Sequence, residues 1–241
     1  MISLTSPIKR SQLASKQVPP GVASVSSALF HGLSQDEIRA VLHGSVSATF
    51  PARSWLYRQD EPARRLFLVE SGLVRLGQLT PEGDDLLVRF VQPGEVFGYF
   101  ALAVGGQNIV SAQAVQASRV AVWERDAALE ILHSVPKATV NLFNLAVRDV
   151  VYFYERARRL ITQPVGRRVE WALSELVRAI GVRSGPGVVI THGTAQRELA
   201  ELAGTTIFTV SRELTKLEQH GILQKQRGRI VVLQPEKLSE W

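Results

Sequence analysis

Residues 194–233, TAQRELAELAGTTIFTVSRELTKLEQHGILQKQRGRIVVL, gather the side chains best suited to work on a polyanion. Arg212 offers a planar fork of donors that matches O6 and N7 of a guanine edge. Thr206, Thr209 and Ser211 can reach phosphates or bases, and Lys216 lies one helical turn beyond Arg212. Arg197 stands upstream, and Lys225, Arg227 and Arg229 stand downstream, where they can sit near a phosphate backbone. Ile207 and Phe208 precede Arg212 and have no polar reach, but both can pack on thymine methyl groups. A solvated helix hairpin with incidental charges would carry some of these residues too. It would have no need of the caps, glycine turn and apolar stripe that accompany them.

Those side chains need elements to hold them. Thr194 can cap a first helix, with Gln196, Arg197 and Glu198 in its first turn and Leu199 and Leu202 facing inward. Gly204 can take the left-handed conformation that ends it. Thr205 or Thr206 then caps a second helix with Val210, Leu214 and Leu217 as its buried stripe. Gly221 closes that helix, and the alternation around Arg227-Gly228 predicts a two-stranded ribbon. Helix, glycine turn, helix and ribbon make a winged helix-turn-helix.

Upstream, Pro136 to Ile161 runs without glycine or a second proline. Val140, Phe143, Val147, Val150, Tyr154, Ala157 and Ile161 recur at spacings of three and four. A single long core helix fits that spacing. So does the seam of a two-stranded coiled coil, and the second reading predicts a homodimer. Gln163-Pro164 interrupts the pattern, and Pro164–Ile180 reads as a further helix buried along Val165, Val169, Ala172, Leu173, Leu176 and Val177. Gly181–Gly187 reads as a loop.

Between Ser45 and Glu124 the period is that of strands. Short apolar runs alternate with turns, and Pro81-Glu82-Gly83-Asp84 and Pro93-Gly94 read as hairpin turns. Strands at about ten-residue spacing predict an antiparallel barrel or jelly roll. Ahead of it, Ser34 and Glu37 have the spacing of a capping box for a helix buried along Ile38, Val41 and Leu42. The expected organisation is a serine-rich flexible arm over 1–27, a barrel domain over 28–135, a dimerisation helix over 136–161 and a DNA-binding domain over 162–241. The fold class is α+β.

Composition narrows the functions. The 241 residues carry a net charge of +6, which favours a polyanionic partner. Cysteine is absent, so disulfides, thiolate nucleophiles and cysteine-held iron–sulfur clusters are excluded. No apolar run approaches the ~20 residues of a membrane-spanning helix, and a cytoplasmic location is expected. An enzyme on a cupin-like barrel would need clustered histidines and carboxylates, and Ser45–Glu124 contains no histidine. Phosphate-binding and nucleophile-elbow glycine motifs are absent as well, so no catalytic activity is expected.

With these elements in order, the chain resembles the CRP/FNR family of bacterial transcription regulators from about Leu29 to Leu233. FLVESGLVRL and QPGEVFG look like the family's cyclic-nucleotide-binding-type jelly roll. The more specific match is RELAELAGTTIFTVSRELTKLEQHGIL. The resemblance implies a homodimer paired through the long helix, double-stranded DNA with a palindromic operator as partner, and RNA polymerase as a further partner. It also implies a sensory event that reorients the DNA-binding heads.

Two departures from the family pattern bear on specificity. Where relatives carry a glutamate at the exposed start of the recognition helix, this chain has Ile207 and Phe208, while the family-type arginine survives as Arg212. A different half-site is therefore expected. In the sensory part, Tyr99 stands where cyclic-AMP-binding relatives have glutamate, and Ile109-Val110 where they have an Arg-Ser pair. A buried cyclic phosphate needs a cation or several donors, and Gln107, Asn108 and Ser111 are neutral, which argues against cyclic AMP. Phe97, Tyr99 and Phe100, with Tyr152, Phe153 and Tyr154 of the long helix, could line an apolar effector pocket or simply fill the interface. Haem, which gas-sensing relatives bind, stays open as an alternative, although the five histidines are scattered. A ligand-binding module acting on another protein is a third reading, and it leaves the basic head unexplained.

Overall fold

Two interleaved apolar patterns build the N-terminal part. The computed structural model describes residues 26–103, 106–185, 187–190 and 195–238. The expected arm up to residue 25 and the Thr194 cap lie outside the described residues. Eight strands follow in order: β1 (Val46–Phe50), β2 (Trp55–Tyr57), β3 (Arg65–Ser71), β4 (Val74–Leu79), β5 (Asp85–Val91), β6 (Val96–Phe97), β7 (Ser111–Ala114) and β8 (Ser118–Glu124). They form two antiparallel four-stranded sheets, ordered β1-β8-β3-β6 and β2-β7-β4-β5. Side chains alternate across a strand, and β3 shows the consequence. Its Phe67 and Val69 enter the core between the sheets, while Leu66 and Leu68 join a second core on the other face. On β8, Val120 and Val122 face inward, and Ala121 and Trp123 face the second core.

That second core is roofed by helices: α1 (Gln35–His43), α2 (Arg125–Ser134) and the start of α3 (Pro136–Thr162). The capping box forms as expected: Ser34 Oγ accepts from the Glu37 N–H, and Glu37 Oε2 accepts from the Ser34 N–H. Trp123 donates its ring N–H to the Val41 carbonyl at 2.8 Å, so burying the indole leaves no orphaned donor.

Two sequence expectations are corrected. The Pro81–Asp84 turn does join a hairpin, β4 to β5. Pro93-Gly94 does not: it carries the chain from β5 of one sheet to β6 of the other, where β6 pairs with β3. Residues 181–187 are not simply a loop, because Val182–Ser184 (β9) and Gly187–Ile190 (β10) pair antiparallel. Helix α2 had no counterpart in the sequence reading.

The described residues up to Val151 form one compact unit and those from Tyr152 a second. The 27-residue α3 contributes to both, and at 1.5 Å per residue it is about 40 Å long. The second unit holds α4 (Val165–Ile180), α5 (Ala195–Ala203) and α6 (Ile207–Gln219), with β11 (Leu223–Gln226) and β12 (Arg229–Val232) completing a β11-β12-β10-β9 sheet. Val169, Leu173 and Leu176 of α4 are buried, as are Leu199 and Leu202 of α5 and Val210, Leu214 and Leu217 of α6.

Candidate nucleic-acid interface

The turn between α5 and α6 is set by one backbone requirement. Gly204 has φ +59, and a Cβ there would also come within 2.8 Å of Leu160 Cδ2. The last carbonyls of α5 lack partners within the helix. Two guanidiniums supply them: Arg156 of α3 donates to the Glu201 carbonyl at 3.0 Å, and Arg168 of α4 donates to the Gly204 carbonyl at 3.3 Å. Positive charge at a helix C-terminus also complements its dipole. Of the two possible caps, Thr206 is the one used: its Oγ1 accepts the Thr209 N–H at 3.2 Å.

With Val210, Leu214 and Leu217 buried, the opposite face of α6 is turned outward. Thr206, Ile207, Phe208, Arg212 and Lys216 are exposed, and Thr209 and Ser211 are half-buried. Phe208 is 86% exposed and Ile207 43%. The two threonine hydroxyls lie 3.2 Å apart and share a hydrogen bond. Buried Glu213 steadies the cations on either side of it. Arg212 Nε lies 3.5 Å from Glu213 Oε1, and Lys216 Nζ donates to both carboxylate oxygens at 2.9 and 3.0 Å. Arg197 is exposed in the first turn of α5.

The ribbon predicted around Arg227-Gly228 is the β11–β12 hairpin, with Gly228 at φ +74. Arg227 and Arg229 are exposed, and Arg229 Nε donates to Gln226 Oε1 at 2.5 Å. Lys225, also expected near a phosphate backbone, has partners within the domain. Its Nζ donates to Thr215 Oγ1 at 2.7 Å and lies 3.3 Å from Glu218 Oε2, so it ties the hairpin to α6. The Lys225 N–H also donates to Glu218, and this backbone donor holds the Glu218 carboxyl below its ordinary range.

All seven predicted seam residues of α3 are exposed. Val140, Phe143, Val150, Tyr154 and Ile161 are each more than half exposed among the described residues, an apolar stripe along α3.

Within the barrel, the candidate effector residues are placed differently from one another. Phe97 is buried between the sheets and stacks on Phe67 at 4.9 Å, with Tyr57 at 6.1 Å. Burial pushes the Tyr57 hydroxyl well above its ordinary pKa, against the pull of Arg89. Tyr99 packs instead on the helix-roofed core and donates its hydroxyl to the Val96 carbonyl at 3.0 Å. Phe100, Gln107, Ile109, Phe153 and Tyr154 are exposed. Asn108 is buried, Val110 packs on the core between the sheets, and Ser111 Oγ accepts the Gln59 N–H at 2.9 Å. The sequence reading missed Tyr57, whose ring partners lie ten and forty residues away. It also missed Arg89, whose side chain reaches Glu95 and Asp149, each at 3.3 Å. Among the described residues there is no cluster of histidine and carboxylate groups that could hold a metal ion. Nor is any helix long and apolar enough to cross a membrane.

A winged helix-turn-helix with an outward basic face, in one chain with a double-sheet jelly roll and a long helix, defines a DNA-binding regulator with a sensory-type domain. The cyclic nucleotide-binding domain model matches residues 47–134, and the Crp-like helix-turn-helix domain model matches residues 167–241. The chain is 31% identical to the cyclic AMP receptor protein of Thermus thermophilus over 89% of its own length and 96% of that protein's. It is 25% identical to the CRP-like cAMP-activated global transcriptional regulator of Mycobacterium tuberculosis, over 88% and 94% respectively. A solved CRP/FNR-family transcriptional regulator from Thermus thermophilus superposes with a TM-score of 0.69 at 28% identity, covering 80% of this chain and 96% of that one. The protein belongs to the CRP/FNR family of DNA-binding transcription regulators.

Proposed function

We propose that the protein is a cytoplasmic homodimer that binds a palindromic operator and regulates transcription there with RNA polymerase, without catalytic activity of its own. The observation that carries this reading is the exposed α3 stripe from Val140 to Ile161, combined with the outward face of α6. A coiled-coil seam buries such a stripe against a second copy. Two-fold pairing then sets two α6 helices into successive major grooves, about 34 Å apart. In each head, Arg212 reads a base edge. Thr206, Ile207, Phe208, Thr209 and Ser211 approach the groove floor or walls, and Arg197, Lys216, Arg227 and Arg229 engage phosphates.

The same reading holds that the barrel does not take cyclic AMP, in contrast to what the names of two relatives say of them. Supporting this is the space between the sheets, which Tyr57, Phe67 and Phe97 occupy with their rings. Arg89, a largely buried cation of the barrel, is already committed to Glu95 and Asp149.

Light scattering and gel shifts test both parts. The mass should be that of two chains. An operator selected from random duplexes should be two-fold symmetric, and binding to it should weaken steeply with salt. Millimolar cyclic AMP should leave the operator affinity unchanged. A monomer, or a cyclic-AMP-dependent rise in affinity, would overturn the corresponding part.

A further inference from the structure

We infer that Phe208 is a specificity-determining residue that reads the C5-methyl group of thymine in the operator half-site; this rests on the proposed DNA-bound arrangement of α6. A phenylalanine 86% exposed at the start of a helix is an unpaid apolar surface in the free protein. It cannot be explained by the core, since the buried stripe of α6 is Val210, Leu214 and Leu217 on the other side. Ile207, 43% exposed, extends the apolar surface. The polar groups that could have offered an alternative contact in this turn are engaged. Thr206 Oγ1 accepts the Thr209 N–H, and the two threonine hydroxyls bond each other.

The surroundings identify the occupant. Phe208 and Arg212 are four residues apart on one helical face, about 6 Å along the axis. The apolar spot is therefore continuous with a cationic face that also carries exposed Lys216. A purely apolar protein partner does not match that charge, and the major groove does. Of the groups displayed there, the thymine methyl is the apolar one, whereas guanine, adenine and cytosine present donors and acceptors at the corresponding edges. Covering those edges with a phenyl ring strips them of water and returns no hydrogen bond. Phe208 thus favours thymine by contact and disfavours the other bases by desolvation. The thymine should lie within about two base pairs of the pair read by Arg212, given 3.4 Å per base pair against a 6 Å offset.

The experiment uses the full-length protein and an operator selected from random duplexes, with each half-site thymine replaced in turn by deoxyuridine, which lacks only the methyl. Burying one methyl corresponds to about a fourfold change in affinity. Wild type should lose about that factor, up to about tenfold, at one or two thymines near the Arg212-sensitive pair. Phe208→Ala should bind more weakly and lose its sensitivity to deoxyuridine at those positions, with unchanged thermal unfolding. Arg212→Ala should keep the sensitivity. If wild type binds its operator but no thymine-to-deoxyuridine change matters, or if Phe208→Ala retains the full effect, the inference is wrong while the DNA-binding reading stands. If no duplex is selected at all, both fall together.

Discussion

Arg89 Nη2 lies 3.3 Å from Asp149 Oδ2, joining β5 of the barrel to α3 between the exposed stripe residues Val147 and Val150. The same guanidinium reaches Glu95 Oε2 at 3.3 Å and donates to the Phe90 carbonyl, also at 3.3 Å. One largely buried cation therefore serves two carboxylates. Burial raises the Asp149 carboxyl above its ordinary range; Glu95 pushes the same way and Arg89 opposes both.

This geometry orders two substitutions. Arg89→Met leaves Asp149 and Glu95 facing each other without a cation, and should cost about 2–3 kcal/mol. Asp149→Asn leaves Arg89 still paired with Glu95 and should cost about 1 kcal/mol. Urea unfolding of the two variants would measure the difference. Equal losses, or a larger loss for Asp149→Asn, would mean that Arg89 is not the shared partner.

The α3 stripe makes a second prediction. A carboxylate placed at Phe143 or Ile161, 67% and 83% exposed, meets water in a monomer and the partner's apolar seam in a dimer. Phe143→Glu and Ile161→Glu should therefore yield folded monomers by light scattering. Operator affinity should fall at least tenfold, because two linked heads no longer bind as one. Variants that remain dimeric would place the interface elsewhere.

Much of the DNA-binding head was legible because its signals are local. The Gly204 turn, the Thr206 cap and the three-and-four spacing of Val210, Leu214 and Leu217 each depend on residues within one or two helical turns. Thr205 and Thr206 could not be separated by sequence, since both fit the cap and only the backbone angles choose. The barrel class was legible from alternation, but not the order of its strands. Pro93-Gly94 is as good a hairpin turn as Glu82-Gly83, and it is the distant partner β3 that draws β6 into the other sheet. The β9–β10 hairpin was hidden by its own turn chemistry around residues 185–187, with strands of only three and four residues. Helix α2 did carry a signal, the spacing of Ala128, Ile131 and Leu132, which follows directly on the last strand. Lys225 read as a phosphate ligand because sequence gives a charge but not its direction, and Thr215 and Glu218 turn it inward.

That inward turn separates the wing cations. Arg227→Ala and Arg229→Ala should weaken binding evenly across operator sequences and reduce the salt slope by about one each. Lys225→Ala should instead loosen the β11–β12 hairpin from α6, lowering thermal stability while changing the slope less. Arg212→Ala should cost about 1–3 kcal/mol and relax selectivity at one base pair. Gel shifts over a salt series, on the selected operator and on single-base variants, distinguish the three patterns. A base-selective effect at Arg227, or an even one at Arg212, would reverse the assigned roles.

Two glutamates should give stability opposite dependences on pH. Glu70 is 5% exposed, with Ser47 Oγ donating to it at 3.1 Å and Arg119 Nε at 2.5 Å. Burial raises its pKa above the ordinary 4.5, outweighing Ser47 and Arg119, which lower it. Between 4.5 and the raised value the folded state holds more protons than the unfolded chain, so this group's contribution falls as pH rises through that window. Glu37 is the reverse: the Ser34 backbone N–H holds its carboxyl below 4.5, so its contribution is present above 4.5 and lost as pH falls. Melting temperatures measured from pH 7 downward on wild type, Glu70→Gln and Glu37→Gln would expose both signs. Lowering the pH should raise wild type relative to Glu70→Gln and erode its advantage over Glu37→Gln. A constant offset between wild type and Glu70→Gln would mean that burial does not govern the Glu70 carboxyl.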